Sequence, residues 1–496
     1  MSELMSDPMS GGPRVLHVAA EIFPWVKTGG LGDVMAALPP ALAAQGVDVR
    51  VIVPGFTALL DALPLTDSVR LRTPFSSERV RIGLAPLPGS AVKAYLVDYP
   101  AFYDRPGGPY QAPDGGEWGD NHRRFALLCW AAAALAQGAD PNWRPQIVQC
   151  HDWHAGLTPA YMRAANAGVP SIFTVHNLAY QGYFGAGAFA DLALPPEMFS
   201  VEGIEYYGGL SFIKAGLYYA SRLTTVSPTY AREIQTPAFG MNIDGLLRTR
   251  TGVLTGILNG VDPAIWSPEN DALLPRRYGV EAVEDGKAAA KQALRQRFGL
   301  GDMGDGPLFG AITRLTWQKG FDIMLQALPG LVDQGGSFVL LGSGDRGLED
   351  GFRAVAQAYP GRVSAEIGYD EALAHLITAG SDSILVPSRF EPCGLTQLYA
   401  LRYGSLPVVR QTGGLADTVV DANSVTLADD SATGFAFDGE TPDALIGSVQ
   451  RAATLYRADP SAWRRVQRNA MRRDFSWAAA ARQYGALYRD LLNARD

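Results

Sequence analysis

Short runs of apolar, often β-branched residues alternate along this chain with longer stretches in which apolar positions recur every three or four residues. Val15-Leu16-His17-Val18-Ala19-Ala20 reads as a buried strand, the stretch through Val34-Met35-Ala36-Ala37-Leu38 as a helix, and Val49-Arg50-Val51-Ile52-Val53 as a second strand. Strand, helix, strand is a βαβ opening, and it places Lys27-Thr28-Gly29-Gly30-Leu31-Gly32-Asp33 on the strand-to-helix turn. Residues 147–150, 171–175 and 223–226 read as further buried strands of the same sheet, each running out into polar residues: His151-Asp152, His176-Asn177 and Ser227. Ligands bind at the carboxyl edge of parallel sheets, so three strands delivering polar groups to one edge mark it as functional.

A second series begins beyond residues 252–262, a glycine- and asparagine-bearing stretch with Asn259-Gly260-Val261-Asp262 that reads as a turn and a crossing between domains. Residues 268–306 read as a loose, charged connection. Residues 308–313, 337–341, 363–367, 384–386 and 406–409 then read as strands with helical segments between them. The predicted architecture is α/β, two open parallel-sheet units in tandem. Alternating strands and helices with short loops exclude an all-β or helical-bundle fold. The predicted divisions are a tail at 1–12, a first domain at 13–255, a second at 256–474, and a terminal helix at 475–496, where Phe475-Ser476-Trp477 opens a stretch of helical periodicity.

At 496 residues the chain exceeds what one core accommodates, which agrees with two domains. Its 42 basic and 50 acidic side chains give a formal charge of −8, and no basic run suggests a nucleic-acid partner. Cys129, Cys150 and Cys393 show no metal spacing and are too few for a disulfide framework, so a reducing cytoplasm fits. Residues 1–12 lack the character of a secretory or transit signal, and no apolar stretch reaches membrane-spanning length. The expectation is a cytoplasmic protein with neither a membrane nor a nucleic-acid partner.

The candidate chemistry centres on Ser388-Arg389-Phe390-Glu391-Pro392-Cys393-Gly394-Leu395-Thr396-Gln397. The run lies between a proline-stopped strand and a helix start, where Glu391 can accept from sugar hydroxyls and Gly394 lets backbone approach a phosphate. The plainer alternative is an acidic residue that complements the helix dipole. Arg314 and Lys319 follow another strand, with Gly320 after them; two fixed cations suit a diphosphate leaving group, although solvated surface charges are the commoner fate of such residues. Lys27-Thr-Gly-Gly offers backbone N–H groups and a cation, but the lysine precedes the glycines, so this is no Walker loop. Gly342-Ser-Gly344-Asp-Arg-Gly347, with Glu366 downstream, matches a dinucleotide fingerprint and makes an NAD enzyme the rival; its place in the middle of the second series favours a nucleotide-side turn. His151, Asp152 and His154 could be read as metal ligands, yet adjacent residues on an irregular turn rarely converge on one ion, and sugar hydrogen bonding fits them better, with Trp153 as a stacking face. No nucleophile elbow or paired hydrolytic carboxylates are evident.

These stretches, together with Tyr103-Asp-Arg-Pro-Gly, Lys214-Ala-Gly, Val226-Ser-Pro-Thr-Tyr-Ala and Thr412-Gly-Gly-Leu-Ala-Asp, run in an order that resembles the bacterial glycogen synthase and plant starch synthase family. That family belongs to the retaining glycosyltransferases of GT-B architecture. Each stretch is weakly diagnostic alone, and the ordered set, from near residue 15 to beyond 410, is highly specific.

The resemblance implies two Rossmann-like domains facing across a deep cleft, with the C-terminal helix crossing back to the first. It implies transfer of glucose from ADP-glucose to the non-reducing-end 4-hydroxyl of an α-1,4-glucan, glycogen or a malto-oligosaccharide, without a cofactor or metal. By the same carry-over Lys27, Gly29, Gly30 and Asp33 contact the donor, Arg314 and Lys319 neutralise charge on departing ADP, and Glu391 binds the donor sugar beside the backbone of Cys393, Gly394, Leu395 and Thr396. His176 holds the glucose 6-hydroxyl with Asn177 and Asn259 nearby; Asp152, Trp153 and Tyr103 serve the sugar and acceptor side; Gly344 and Tyr369 face the nucleotide, Tyr369 as a stacking surface for adenine. Many relatives of this fold carry a second Glu eight positions beyond the first, where Tyr399 stands here; glycogen synthases commonly lack that Glu, so the change argues for this subgroup. Gly32 stands where alanine is frequent, a change expected to be harmless. The same chemistry with UDP-glucose, another GT-B nucleotide-sugar transferase and, more distantly, a non-catalytic glucan-binding protein are the remaining alternatives. A homo-oligomer is allowed, since the sequence does not choose an oligomeric state.

Overall fold

Every strand read from the apolar runs forms, and each joins one of two large sheets. The computed structural model describes residues 12–301 and 306–494. The predicted tail 1–12 lies outside them except for Gly12. The chain falls into two units, one of residues up to 226 with 231–260 and the C-terminal residues from 477, the other of 227–230 and 261–476.

In the first unit β1 (Arg14–Val18), β2 (Asp48–Pro54), β3 (Asp67–Arg72), β4 (Arg79–Pro86), β5 (Lys93–Asp98), β6 (Ile147–His151), β7 (Ser171–Val175), β8 (Arg222–Thr225) and β9 (Leu254–Gly256) lie in the order β9-β8-β7-β6-β1-β2-β5-β4-β3. Pairing is parallel from β9 across to β5, with Val15 beside both Val49 and Ile147. The far edge departs from the parallel expectation: β4 runs antiparallel to both β3 and β5. Strand β3 has an exposed, charged alternation (Asp-Ser-Val-Arg-Leu-Arg), the pattern of an edge with one wet face, which carries little apolar signal. Helix α1 (Gly30–Ala43) covers β1, and the terminal helix (Trp477–Asn493) packs beside α1, sharing one core of Val15, Val34, Leu38, Tyr484, Tyr488 and Leu491. Proline at 39 and 40 interrupts two backbone donors of α1, and packing carries the helix through them.

In the second unit β10 (Leu308–Leu315), β11 (Ser337–Gly344), β12 (Val363–Ile367), β13 (Ser383–Val386), β14 (Leu406–Arg410) and β15 (Phe435–Phe437) form an all-parallel sheet ordered β12-β11-β10-β13-β14-β15. That order is doubly wound, outward from β10 in both directions.

Residues 268–306 are not a loose connection. Within them α2 (Val283–Phe298) presents Val283, Gly286, Lys287, Ala290 and Leu294 to the protein interior. The helical spacing is there, but glycine and lysine occupy two stripe positions and mask it. Lys287 is buried with its ammonium donating to the carbonyls of Ala379 and Ser381 and to the Ser405 hydroxyl, so it acts as a polar peg in an apolar seam. Among the described residues no helix is long and apolar enough to cross a membrane.

Candidate active site

In a doubly wound sheet the crevice for ligands opens where neighbouring strands send their chains to opposite sides. In the second unit that point lies between β10 and β13. Arg314 stands at the end of β10 and Lys319 in the turn after it; Ser388 and Glu391 follow β13. The topology therefore gathers four residues separated by some seventy positions of sequence.

Lys319 Nζ lies 2.6 Å from Glu391 Oε2, and the Ser388 hydroxyl donates to the same oxygen at 2.9 Å. Glu391 is only 6% exposed. Its Oε1 has no hydrogen bond to any described residue, which leaves an acceptor ready for a hydroxyl. The Arg314 guanidinium is exposed and likewise has no bonded partner among the described residues. Gly320, at φ +69°, could not carry a side chain, since a Cβ would stand 2.1 Å from the Pro387 carbonyl oxygen. The loop itself is strapped from behind. Arg389 grips Asp322 in a two-pronged pair at 2.7 Å on both arms and donates to the Trp317 carbonyl, while Arg410 Nε donates to the Ser388 carbonyl at 3.0 Å. Such a fork fixes orientation as well as distance. Ser227, grouped with this unit, donates to the Pro392 carbonyl at 2.6 Å.

Ile312, Lys319, Glu391, Gly394 and Thr396 line a small cavity here. Gly394 takes φ +74°, Cys393 is buried and in no disulfide, and Leu395 precedes the short helix Thr396–Arg402. Gly344 ends β11, and its N–H is held by Glu349. Glu366, the would-be ribose acid of the dinucleotide reading, is paired with Arg297 at 2.6 Å. Tyr369 is 72% exposed, with its hydroxyl on Glu371. Tyr399 lies flat on Trp266 at 3.9 Å, so it is a packing residue. A larger cavity of about 410 Å³, lined by Trp266, Leu398, Arg402 and Phe475, includes none of the switch-point residues.

In the first unit the corresponding point lies between β1 and β6. After β1, Gly29 caps α1, and Lys27 pairs with Asp33 at 2.8 Å. The N–H groups of Thr28 and Gly29 are already engaged, both donating to Glu21 Oε2, while Tyr110 donates to Glu21 Oε1 at 2.6 Å. Glu21, absent from the sequence reading, thus shapes the loop from inside. Its signal was faint because it lies in the irregular stretch between β1 and the glycines.

After β6, Asp152 adopts φ +58° and is buried, with Oδ1 accepting from the N–H of His176 at 2.9 Å and of Asn177 at 3.4 Å. Burial raises its pKa to about 7, and the two N–H donors oppose the rise. His176, half-buried at the end of β7, has its pKa lowered to about 4 by loss of solvation. Behind it His151 and His17 continue inward, with His151 Nδ1 2.9 Å from His176 Nε2 and His17 Nδ1 3.0 Å from His151 Nε2.

Other predicted residues sit further back. Trp153 is packed among Phe125 (4.9 Å) and Tyr110 (6.2 Å), with Gly182 pressed on its ring, so aromatic neighbours occupy much of the surface a sugar would stack on. Tyr103 is buried, and its hydroxyl is committed to the Arg124 carbonyl; from there it can position but not touch a ligand. Asn177 turns its side chain onto the Ala179 N–H, and Asn259 is buried. Among the described residues no cluster of three or more His, Cys, Asp or Glu is arranged to hold a metal.

A family model described as the starch synthase catalytic domain matches residues 14–249, and one described as glycosyl transferases group 1 matches residues 293–469. The chain is 53% identical to a glycogen synthase of Edwardsiella ictaluri, over 96% of its own length and 100% of that protein's. It is 52% identical to one from Variovorax paradoxus, over 97% and 99%. Among solved structures, the catalytic domain of starch synthase IV from Arabidopsis thaliana, bound to ADP and acarbose, superposes with a TM-score of 0.87 at 32% identity, covering 97% of this chain and 100% of that one.

Proposed function

The chain belongs to the glycogen synthase family, and from that premise we propose that it moves glucose from ADP-glucose to the non-reducing-end 4-hydroxyl of an α-1,4-glucan, releasing ADP. The observation that carries this reading is the Lys319–Glu391 pair with Glu391 Oε1 unclaimed, beside an uncommitted Arg314 at a sheet switch point. A cation and a carboxylate held against each other present one group to a diphosphate and one to a sugar.

In this reading the bond between glucose C1 and the β-phosphate oxygen breaks, and a bond from C1 to the acceptor O4 forms on the same face. The O4 proton leaves with the departing phosphate, so charge balances without a covalent enzyme intermediate. Arg314 and Lys319 neutralise the oxygen that gains negative charge, the term that most often dominates such catalysis. Glu391 orients the donor sugar, with the backbone of Cys393 to Thr396 beside it, and His176 takes its 6-hydroxyl. Lys27, Gly29, Gly30 and Asp33 complete the donor contacts, with Asn177 and Asn259 supporting. Gly344 and the exposed Tyr369 serve the nucleotide. Asp152 acts at the sugar; Trp153 and Tyr103 hold the acceptor side in shape. Residues 13–255 then form the acceptor-side domain and 256–474 the nucleotide-sugar domain, in a cytoplasmic enzyme.

The test is a transfer assay with labelled ADP-glucose and UDP-glucose on a malto-oligosaccharide. Incorporation from ADP-glucose, with Lys319→Ala reducing kcat by about 10²–10³-fold, is the expected result. Preference for UDP-glucose would overturn the donor, and near-normal turnover by the variant would overturn the role of the cation. Since side-chain cations take the place of a divalent ion in this scheme, addition of a chelator should leave the rate unchanged.

A further inference from the structure

Beneath His176 lies a line of hydrogen-bonding groups that no part of the proposed reaction uses. It starts on the terminal helix, where the Tyr488 hydroxyl contacts Gln149 Oε1 and lies 3.3 Å from His17 Nε2. It continues from His17 Nδ1 to His151 Nε2 at 3.0 Å, and from His151 Nδ1 to His176 Nε2 at 2.9 Å. His17, Gln149 and His151 are fully buried, and the rings of successive histidines are inclined by only 20° and 33°, so they meet nitrogen to nitrogen.

With the Gln149 carbonyl oxygen facing Tyr488, the protons along this line can be ordered in one way. A phenol has a single hydrogen, and a carbonyl oxygen can only accept, so Tyr488 donates to Gln149. The Gln149 amide nitrogen donates in turn to the Thr174 hydroxyl at 3.0 Å. Tyr488 must therefore accept from His17, whose Nε2 carries the proton. All three imidazoles are held neutral by burial, each with one N–H only. His17 Nδ1 is then a bare acceptor for His151 Nε2–H, and His151 Nδ1 a bare acceptor for His176 Nε2–H. The last ring ends with its proton inward and its Nδ1 lone pair unclaimed by any described residue.

We propose that Tyr488, Gln149, His17 and His151 are positioning residues that fix the tautomer of His176, so that it meets its ligand as a hydrogen-bond acceptor at Nδ1. The kinetic consequence rests on the reading of His176 as the partner of the donor 6-hydroxyl. A bare Nδ1 accepts that hydroxyl's proton and rejects a group in its place that can only accept. The relay thus writes a preference for a 6-hydroxyl into a residue that would otherwise take either role.

The decisive measurement uses the full chain labelled with ¹⁵N-histidine, with His176 assigned by difference against His176→Gln. The expected spectrum shows a protonated Nε2 and an unprotonated Nδ1 for His176 in the wild type. A protonated Nδ1 there would overturn the proposal. In Gln149→Met the Tyr488 hydroxyl loses its acceptor and is free to donate to His17, so the line reverses and His176 Nδ1 gains the proton. Tyr488→Phe is the milder variant; it should leave His176 as a mixture of both tautomers. An unchanged His176 spectrum in two folded variants would also overturn it. For the kinetic arm, ADP-6-deoxy-6-fluoroglucose bears a group that only accepts. Wild type should use it at least about tenfold worse than ADP-glucose, the scale set by leaving a buried acceptor unmet, and Gln149→Met should narrow that gap with the kcat on ADP-glucose falling. If the spectra behave as expected while wild type takes both donors equally, the relay stands and the 6-hydroxyl assignment of His176 falls.

Discussion

Asp152 holds φ +58° and ψ −176°, a backbone region that residues with a Cβ enter only at a cost of about 1–3 kcal/mol. What holds it there is visible: its N–H donates to the Thr174 carbonyl, and its carboxylate collects two N–H groups from the end of β7. Burial sets its titration. The folded-state pKa of about 7 lies above the ordinary 3.8, so between those values the native protein retains a proton that the unfolded chain has released. Stability therefore declines as pH rises from about 4 to about 7 and levels off above. Asp152→Asn, which mimics the protonated form, should remove that decline; thermal midpoints of the two proteins should agree near pH 4 and the variant should melt higher at pH 8. A variant that melts lower at pH 8 would show that the ionised carboxylate stabilises the fold. Sequence alone placed Asp152, His176, Lys319 and Glu391 after strands because each lies within a few residues of the end of an apolar run. It could not see Ser388 as the partner of Glu391, or Glu21 as the acceptor for Thr28 and Gly29, since hydrogen bonds across a loop leave no periodic trace. His17 read only as a buried strand residue, because the groups that give it a role come from β6 and from a helix more than 450 positions away.

At the scale of elements, the cations of the second unit depend on a turn more than on a helix. Lys319 is carried by a single helical turn, Trp317–Lys319, and Gly320 closes it at φ +69° against the Pro387 carbonyl. Gly320→Ala would force the two segments apart where Lys319 meets Glu391. The cost to stability should exceed about 1 kcal/mol, and affinity for ADP by titration calorimetry should fall with it. Gly447→Ala supplies the control: it lies inside the helix Pro442–Ala458 with nothing near a new Cβ, and it should raise stability by up to about 1 kcal/mol. A Gly320→Ala protein that binds ADP as wild type does would remove the turn from the account of the site. The elements that were hard to read share one feature, polar residues at positions that the fold buries or pairs. Helix α2 hides its stripe behind Gly286 and Lys287, and the β3–β4 pair carries arginine on alternate positions. Parallel strands buried on both faces, such as β13 and β14, are mostly apolar and were legible for that reason.

At the scale of the whole molecule, the terminal helix closes the first unit's core from the far end of the chain. Tyr484 is 2% exposed within the cluster that includes Val15 of β1 and Val34 of α1. Removing a buried ring of that size usually costs about 3–5 kcal/mol. Spread over a unit of about 270 residues, that loss lowers the melting temperature by roughly 5–9 °C. The core of the second unit, around Phe309, Phe321, Phe338 and Phe352, contains no residue of this helix. If each unit unfolds on its own core, calorimetry of Tyr484→Ala should show one transition moved down by that amount and a second left in place. A single transition displaced as a block would mean that the two cores melt together, and that the last helix stabilises the entire chain rather than the half it covers.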